Sequence, residues 1–279
     1  MWRWICLAAL SLTCACRGEQ VETTNDAKVD ADVDVTNAET GSDASSEADA
    51  PGTPDGDAPP SGDCGAVRGG PMVRVTGFCI DKTEVTRRAF NEYLADPKHL
   101  DHKPSFCGWN TTDEAPELNG ASLDLPVGMV NFCDAATFCA WAGKRLCGSI
   151  DGGMNAPAAY KDPSKSEWFH VCSAGGAQTY AYPGAYDAAR CYSQTITVGP
   201  VGAKAECSGA TMPFSQVVDL SGNVKEWESS CDGSAPARTT GCRVRGGAYA
   251  DGTATTCGED LSAAAETRLP GYGFRCCKD

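Results

Sequence analysis

Cysteine restricts the folds that this chain can adopt more than any other residue type does, because 17 of its 279 residues are cysteines. Cytosolic thiols stay reduced, so a cysteine content this high indicates a protein that folds in an oxidising compartment. Three cysteines lie in the first sixteen residues, and fourteen lie between Cys64 and the end of the chain. The even number downstream favours complete pairing in disulfides, although spacing alone leaves the connectivity open.

Proximity in sequence suggests partners for eight of these cysteines. The suggested pairs are Cys64 with Cys79, Cys107 with Cys133, Cys191 with Cys207, and Cys231 with Cys242. A zinc site is a poor alternative, because the chain has no CxxC pair and only three histidines. His99 and His102 lie three residues apart, but Pro97 and Pro104 flank them, which predicts a surface loop rather than a shared metal on a helix.

The first sixteen residues have the pattern of an export signal. Arg3 precedes an apolar run, residues 5–12, that is too short to span a bilayer. Thr13-Cys14-Ala15-Cys16 resembles a bacterial lipobox, which implies cleavage before Cys16 and diacylation of its sulfur. Lipidation of Cys14 is one alternative, and an ordinary secretory signal is another. We therefore expect an exported lipoprotein anchored at the bacterial cell envelope, at the outer membrane or the periplasmic face.

Residues 17–63 differ in composition from everything downstream. They contain no aromatic residue and few large apolar ones. Residues 1–63 carry 3 basic and 13 acidic side chains, whereas residues 64–279 carry 20 basic and 24 acidic ones. A segment with so little apolar surface cannot offset its chain entropy, so we predict a disordered acidic tether at 17–63. The domain at 64–279 is nearly neutral and has no basic stripe, which argues against a nucleic-acid partner.

Three helices are predicted in the domain, where glycines, aromatic residues and short apolar runs otherwise alternate. The first covers residues 86–95 with Thr86 as its N-cap, and the second covers 133–142 with Gly143 as the stop. The third follows Ser164-Lys165-Ser166-Glu167, a capping-box pattern. The remainder is predicted to form short strands and loops, which gives an irregular α+β fold that depends on disulfides.

Nine motifs in the domain occur in the order of one known family. They are GFCIDKTEVT at 77–86, PVGMVNF at 126–132, CAWAGKRL at 139–146, SEW at 166–168, YPG at 182–184, PVG at 200–202, DLSGNVKEW at 219–227, RGGAY at 245–249 and GFRC at 273–276. Together they resemble the sulfatase-modifying factor family, whose founding member is the formylglycine-generating enzyme. The resemblance covers nearly all of residues 70–279 and implies an irregular, C-type-lectin-like fold.

The resemblance implies a copper oxidase, but the residues that would hold the copper are missing. The family enzyme converts a substrate cysteine to formylglycine with O2 and a copper(I) ion, which prefers thiolate ligands. It presents two cysteines just after the strand that corresponds to Arg245-Gly246-Gly247. Residues 250–256, ADGTATT, contain no cysteine, so we expect no copper site. The alternative is a rebuilt site in which Cys257 joins Cys276 or Cys277.

The family pattern also implies further disulfides. It pairs Cys172 with Cys257, and Cys139 with either Cys276 or Cys277. Cys147 is then expected to bond to whichever of the last two is left.

A calcium site is a further implication of the resemblance. The family's Gly-Asn-Val-Trp-Glu-Trp loop binds Ca2+ through an Asn side chain, backbone carbonyls and a Glu carboxylate, and such oxygen ligands suit this ion. The matching stretch assigns Asn223, the Val224 carbonyl, Glu226 and Glu228 as candidate ligands. The alternative is that Trp227 packs in the core while Asn223 and Glu226 brace the backbone.

These patterns predict a noncatalytic binding or scaffold domain held at the envelope. Residues 250–256 are expected to help form a groove for a peptide, a glycan or an envelope protein. The alternatives are a formylglycine-generating oxidase with a rebuilt copper site and a purely structural envelope protein.

Overall fold

The computed structural model describes residues 64–112 and 122–279, so the predicted signal peptide, Cys16 and the tether at 17–63 lie outside the described residues. The described chain forms three α-helices: α1 at Arg87–Ala95, α2 at Phe132–Trp141 and α3 at Glu167–Cys172. It also forms eight short strands: β1 at Met72–Val75, β2 at Phe78–Asp81, β3 at Arg145–Leu146, β4 at Lys225–Cys231, β5 at Gly241–Arg245, β6 at Leu261–Ala264, β7 at Tyr272–Gly273 and β8 at Cys276–Lys278. The predicted α+β class with little regular structure is confirmed.

The helices form where the sequence predicts them. Thr86 caps α1, and the Ala89 N–H donates to its Oγ1 at 3.1 Å. Helix α2 begins one residue earlier than predicted, because Asn131 and Asp134 form a reciprocal capping box. Gly143 has φ +75°, a left-handed conformation that ends a helix readily.

The predicted capping box at α3 is wrong. Ser166 caps this helix instead, and its Oγ accepts the Phe169 N–H at 3.0 Å. The Ser164 hydroxyl donates to Asp162 at 2.6 Å, outside the helix. Glu167 binds the guanidinium of Arg145 with two contacts of 2.7 Å. A partner distant in sequence thus takes the carboxylate that the local pattern assigned to the cap.

The strands make two four-stranded sheets. The first has the order β1-β2-β8-β3, and all its neighbours are antiparallel. The second has the order β6-β5-β4-β7, in which β4 and β7 are parallel. Phe274 and Arg275 connect β7 of the second sheet to β8 of the first. Both are fully buried, so the end of the chain ties the two sheets together.

Seven disulfides join the fourteen cysteines of the described residues. The pairs are Cys64–Cys79, Cys107–Cys133, Cys139–Cys276, Cys147–Cys277, Cys172–Cys257, Cys191–Cys207 and Cys231–Cys242. They coincide with the expected pairs, and the open choice falls on Cys276 for Cys139. All of these cysteines except Cys64 are buried.

Aromatic side chains fill the core between the helices and the second sheet. Phe90 of α1 and Phe138 of α2 stack at 5.7 Å, and Phe138 meets Phe274 edge-on at 5.3 Å. A second cluster surrounds Trp168 of α3. This packing gives the loops that follow β4 and β5 a rigid base.

The longest helix of the described residues has 10 residues. None of the helices in this part of the chain is long and apolar enough to cross a membrane.

Candidate functional site

A tight Arg-Gly-Gly corner follows β5. Gly246 and Gly247 have φ of +80° and +72°. A Cβ on Gly246 would lie 2.6 Å from the Leu220 carbonyl oxygen, and one on Gly247 would lie 2.9 Å from the Thr255 Cα. Only glycine tolerates both the left-handed backbone and these contacts. The corner therefore turns residues 250–256 back against the domain.

We expect Gly247→Ala to lower the free energy of unfolding by about 3 kcal/mol, because it adds a backbone clash to the cost of a positive φ. Gly252→Ala is the matched control, since Gly252 has φ +58° and open space where a Cβ would stand. We expect the control to cost about 1 kcal/mol, the conformational part alone. Urea titrations measure both, and equal losses would contradict the steric role of the corner.

Residues 250–256 are held closely. The Asp251 carboxylate forms an ion pair with Lys225 of β4, and both side chains are partly buried. The Gly252 N–H donates to the Ser193 carbonyl at 2.7 Å. The segment therefore presents a fixed surface and not a flexible loop.

A cleft of about 370 Å³ lies beside this corner. Its lining residues are Arg87, Thr197, Val198, Tyr249 and Pro270, and none of the predicted groove residues 250–256 is among them. The Tyr249 carbonyl accepts the Thr195 N–H at 2.7 Å, which fixes the segment that carries two of the lining residues. Ile196 and Leu269, each next to a lining residue in sequence, are large apolar side chains with 98% and 45% exposure.

The side chains of three predicted calcium ligands have partners within the protein. The Asn223 Oδ1 accepts the Gly199 N–H at 2.9 Å. Glu226 receives two hydrogen bonds from Arg275, at 2.7 and 2.8 Å, and a third from the Trp168 indole at 2.9 Å. A carboxylate with three donors already bound has little capacity left for a metal.

Glu228 has protein partners as well. Its Oε1 accepts the Ser166 hydroxyl at 2.7 Å, and its Oε2 lies 3.6 Å from the Arg245 Nε. Val224 is buried one position before β4. Trp227 is also buried, and its indole donates to the Val130 carbonyl at 2.9 Å. Asn223, Glu226 and Glu228 thus have the protein partners that the bracing alternative expects, and Glu226 has little capacity left for Ca2+.

Sequence reasoning missed Arg275 as the centre of this network. Besides binding Glu226, its guanidinium donates to the carbonyls of Asp81 at 3.1 Å and Val218 at 2.9 Å. Its partners come from three separate parts of the chain. The GFRC motif was the available signal, but a motif does not show which carboxylate its arginine binds.

The described residues offer no thiolate pair for copper(I). Cys147, Glu167 and Cys277 bring potential ligand atoms within 4.8 Å of one another, but the two sulfurs are bonded to each other. The rebuilt site would need Cys257 with Cys276 or Cys277, and all three are in disulfides with other cysteines. Copper(I) ligation there would require a disulfide to be reduced first.

Several solved structures resemble the chain, and three of them are compared with it in turn. PvdO from Pseudomonas aeruginosa is 20% identical, with a TM-score of 0.47 over 72% of this chain and 80% of that one. CarF is 18% identical, with a TM-score of 0.46 over 72% and 85%. Treponema denticola variable protein 1 is 18% identical, with a TM-score of 0.45 over 72% and 84%. No curated protein matches the chain.

The model of the sulfatase-modifying factor enzyme 1-like domain matches residues 65–279, which is most of the chain. This match begins one residue after the composition changes at Cys64, and it contains all nine of the motifs that carry the resemblance. The chain therefore belongs to the sulfatase-modifying factor enzyme 1-like family.

Proposed function

We propose that residues 64–279 form a noncatalytic binding domain that captures a peptide in the cleft beside Tyr249. The observation that carries the proposal is that the Arg-Gly-Gly corner lacks the expected copper ligands and is held shut by an ion pair. The segment that would supply the copper ligands has no cysteine, and Asp251 in it is paired with Lys225.

The Lys225–Asp251 ion pair joins two departures from the family pattern. Lys225 stands where the family loop has its first tryptophan, and Asp251 stands in the segment that should carry the thiolates. Because the two changed residues form one ion pair, they support the view that this corner stabilises the domain and does not hold a metal. An oxidase would need the same space for a metal and a substrate thiol.

The cleft suits a short peptide with both polar and apolar groups, because Arg87, Thr197 and Tyr249 line it together with Val198 and Pro270. A volume of about 370 Å³ lies at the small end of ligand sites, which favours one or two inserted side chains over a large ligand. Exposed Ile196 and Leu269 can cover the apolar parts of such a peptide. A peptide fits these contacts better than a glycan, because Ile196 and Leu269 beside the cleft are exposed apolar side chains.

Export and lipid anchoring through Cys16 are part of the same proposal. Seven disulfides are stable only where thiols are oxidised, and the envelope of a bacterium provides such a compartment. A tether at 17–63 would let the domain reach partners away from the membrane surface. Mass spectrometry of the N-terminal peptide from native membranes tests the diacylated Cys16.

A selection experiment tests the binding function. The full chain in detergent is panned against a phage-displayed library of random peptides, and fluorescence anisotropy gives Kd for the enriched peptides. We expect Leu269→Ser to weaken binding about tenfold, the loss of one buried leucine contact. Leu100→Ser is the matched control, because Leu100 has the same 45% exposure, and its Kd should stay within about twofold of the unchanged chain. Enriched peptides that bind both variants equally would contradict the assigned cleft.

A double-mutant cycle tests the closure of the corner. Lys225→Met, Asp251→Asn and the combined variant should give a coupling free energy of about 1 kcal/mol, because this ion pair is only partly exposed. The exposed Lys165–Asp151 pair is the control, with about 0.3 kcal/mol expected. Hydrogen exchange of residues 250–256 should rise in Lys225→Met. Unchanged exchange would show that the pair does not hold the segment.

A further inference from the structure

Three buried carboxyl groups lie around one buried guanidinium, and a fourth, Asp81, lies near it but is neutralised by its ion pair with Lys144. Glu84 and Asp219 are each 2% exposed, Glu226 is 1% exposed and Arg275 is fully buried. If every group were ionised, the cluster would carry a net charge of about −2 in a medium that penalises isolated charge. Such an excess requires either a bound cation or a proton.

Among the three carboxyl groups, Glu226 is the one that accepts hydrogen bonds from Arg275. The guanidinium makes two bonds to Glu226 and two to backbone carbonyls. The Asp219 Oδ2 accepts the Gly202 N–H at 2.5 Å. Both carboxyl oxygens of Glu84 lack a donor among the described residues. Glu84 is therefore the member of the cluster with the least compensation for its charge.

The carboxyl groups of Glu84 and Asp219 lie within hydrogen-bonding reach of each other. Two ionised carboxylates have no hydrogen to share, so this contact is a hydrogen bond only when one group is protonated. Burial raises the pKa of Asp219 to about 6. Burial, and then the charge of Asp219, raise the pKa of Glu84 well above its ordinary value, and Glu226 adds to this while Arg275 opposes it.

We propose that Glu84 and Asp219 share one proton at neutral pH, and that this pair is a proton-dependent clasp on the strap formed by residues 195–202. Asp219 binds the strap at Gly202, and Asn223 binds it at Gly199. Asp219 holds a φ of +65°, a conformation that positions its side chain under the strap at some backbone cost. The inference does not depend on what the cleft binds, although Thr197 and Val198 of the strap line that cleft.

The sign of the pH dependence follows from the raised pKa values. In the unfolded chain both groups ionise near their ordinary values, so folding takes up one proton between about pH 5 and pH 7. The stabilising contribution of the pair is fully present below the unfolded pKa values and is lost as the pH rises through the folded ones. Over this range the pair alone should shift the unfolding equilibrium about tenfold per pH unit toward the unfolded chain. Asp81 and Asp134 should add to the slope of the whole chain, because burial also raises the pKa of each to about 6.

Glu84→Gln and Asp219→Asn test the clasp, because each amide replaces the shared proton with a permanent donor. Urea titrations of the full chain, with disulfides intact, give the equilibrium constant from pH 5 to pH 8. The slope is the change of the logarithm of the unfolding equilibrium constant per pH unit. We expect it to be smaller by about one in either variant than in the unchanged chain. Glu226→Gln removes one of the two carboxylate acceptors of Arg275 and, unlike the two clasp variants, should destabilise the domain at every pH. Infrared spectra at pH 7 should show a protonated carboxyl band that Glu84→Gln removes.

Two results would overturn the clasp. One is an unchanged pH slope in both amide variants, which would show that no proton is taken up at this pair. The other is a rise in stability on adding Ca2+ to the unchanged chain that Glu84→Gln abolishes. That result would assign a metal ion, and not a proton, to the space between the two carboxyl groups.

Discussion

Arg275→Met is expected to lower the free energy of unfolding by about 3 to 5 kcal/mol, among the largest single-residue effects in this domain. The substitution keeps most of the side-chain volume and removes the guanidinium. Glu226 is then left buried with only the Trp168 indole as a donor. An uncompensated buried charge costs much more than the net contribution of the original pair.

A rescue variant separates the charge from the packing. Glu226→Gln combined with Arg275→Met removes both charges and keeps an acceptor for Trp168, so we expect it to recover more than half of the loss. Arg238→Met is the matched control, because the Arg238–Glu266 pair is exposed, and its loss should be below about 1 kcal/mol. Urea titrations measure all three. A double variant that is less stable than Arg275→Met would show that the guanidinium acts through packing.

Removal of the two C-terminal disulfides is expected to destabilise the domain by more than the sum of the single removals. Cys139–Cys276 and Cys147–Cys277 close loops of 137 and 130 residues that almost coincide. While one bridge remains, the other adds only a short extra loop, worth about 2 to 3 kcal/mol by chain entropy. Loss of both opens the long loop as well, for a total of about 7 kcal/mol.

The alanine variants of each pair and of both pairs measure this coupling. Urea titrations give the unfolding free energies, and mass spectrometry verifies that the other disulfides remain intact. Cys64–Cys79 is a useful reference, because it closes a separate loop of 15 residues and should contribute about 3 kcal/mol independently. Strict additivity between the two C-terminal bridges would contradict the redundant-loop account.

Local sequence patterns predict much of this fold. The Thr86 cap of α1 and the Gly143 stop of α2 are local signals, because each involves the residues of a single helix. The four disulfides suggested by proximity, such as Cys231–Cys242, join cysteines close enough in the chain that few alternatives compete. The remaining disulfides needed the family pattern, since Cys139 and Cys276 are 137 residues apart.

The side-chain partners of the site could not be predicted in the same way. The family motif places Glu226 in a calcium loop, but its oxygens bind Arg275, which is 49 residues away. The capping box at α3 fails for the same reason, because Arg145 and Glu167 meet only in the folded domain. Nothing in the sequence distinguishes Lys225 and Asp251 from charged residues of the surface, yet in the folded domain their ion pair closes the corner. A motif identifies positions, whereas tertiary packing decides which charges meet.

Copper(I) titration with cysteine mapping tests the noncatalytic binding account most directly. The full chain, purified without reductant, is alkylated and digested, and mass spectrometry assigns each cysteine as free or bonded, while a competing chelator measures copper(I) affinity. The account predicts that all fourteen cysteines from Cys64 onward are bonded and that this part of the chain has no high-affinity copper site. Two alkylated cysteines among Cys257, Cys276 and Cys277, together with tight copper(I) binding, would contradict it and favour the oxidase.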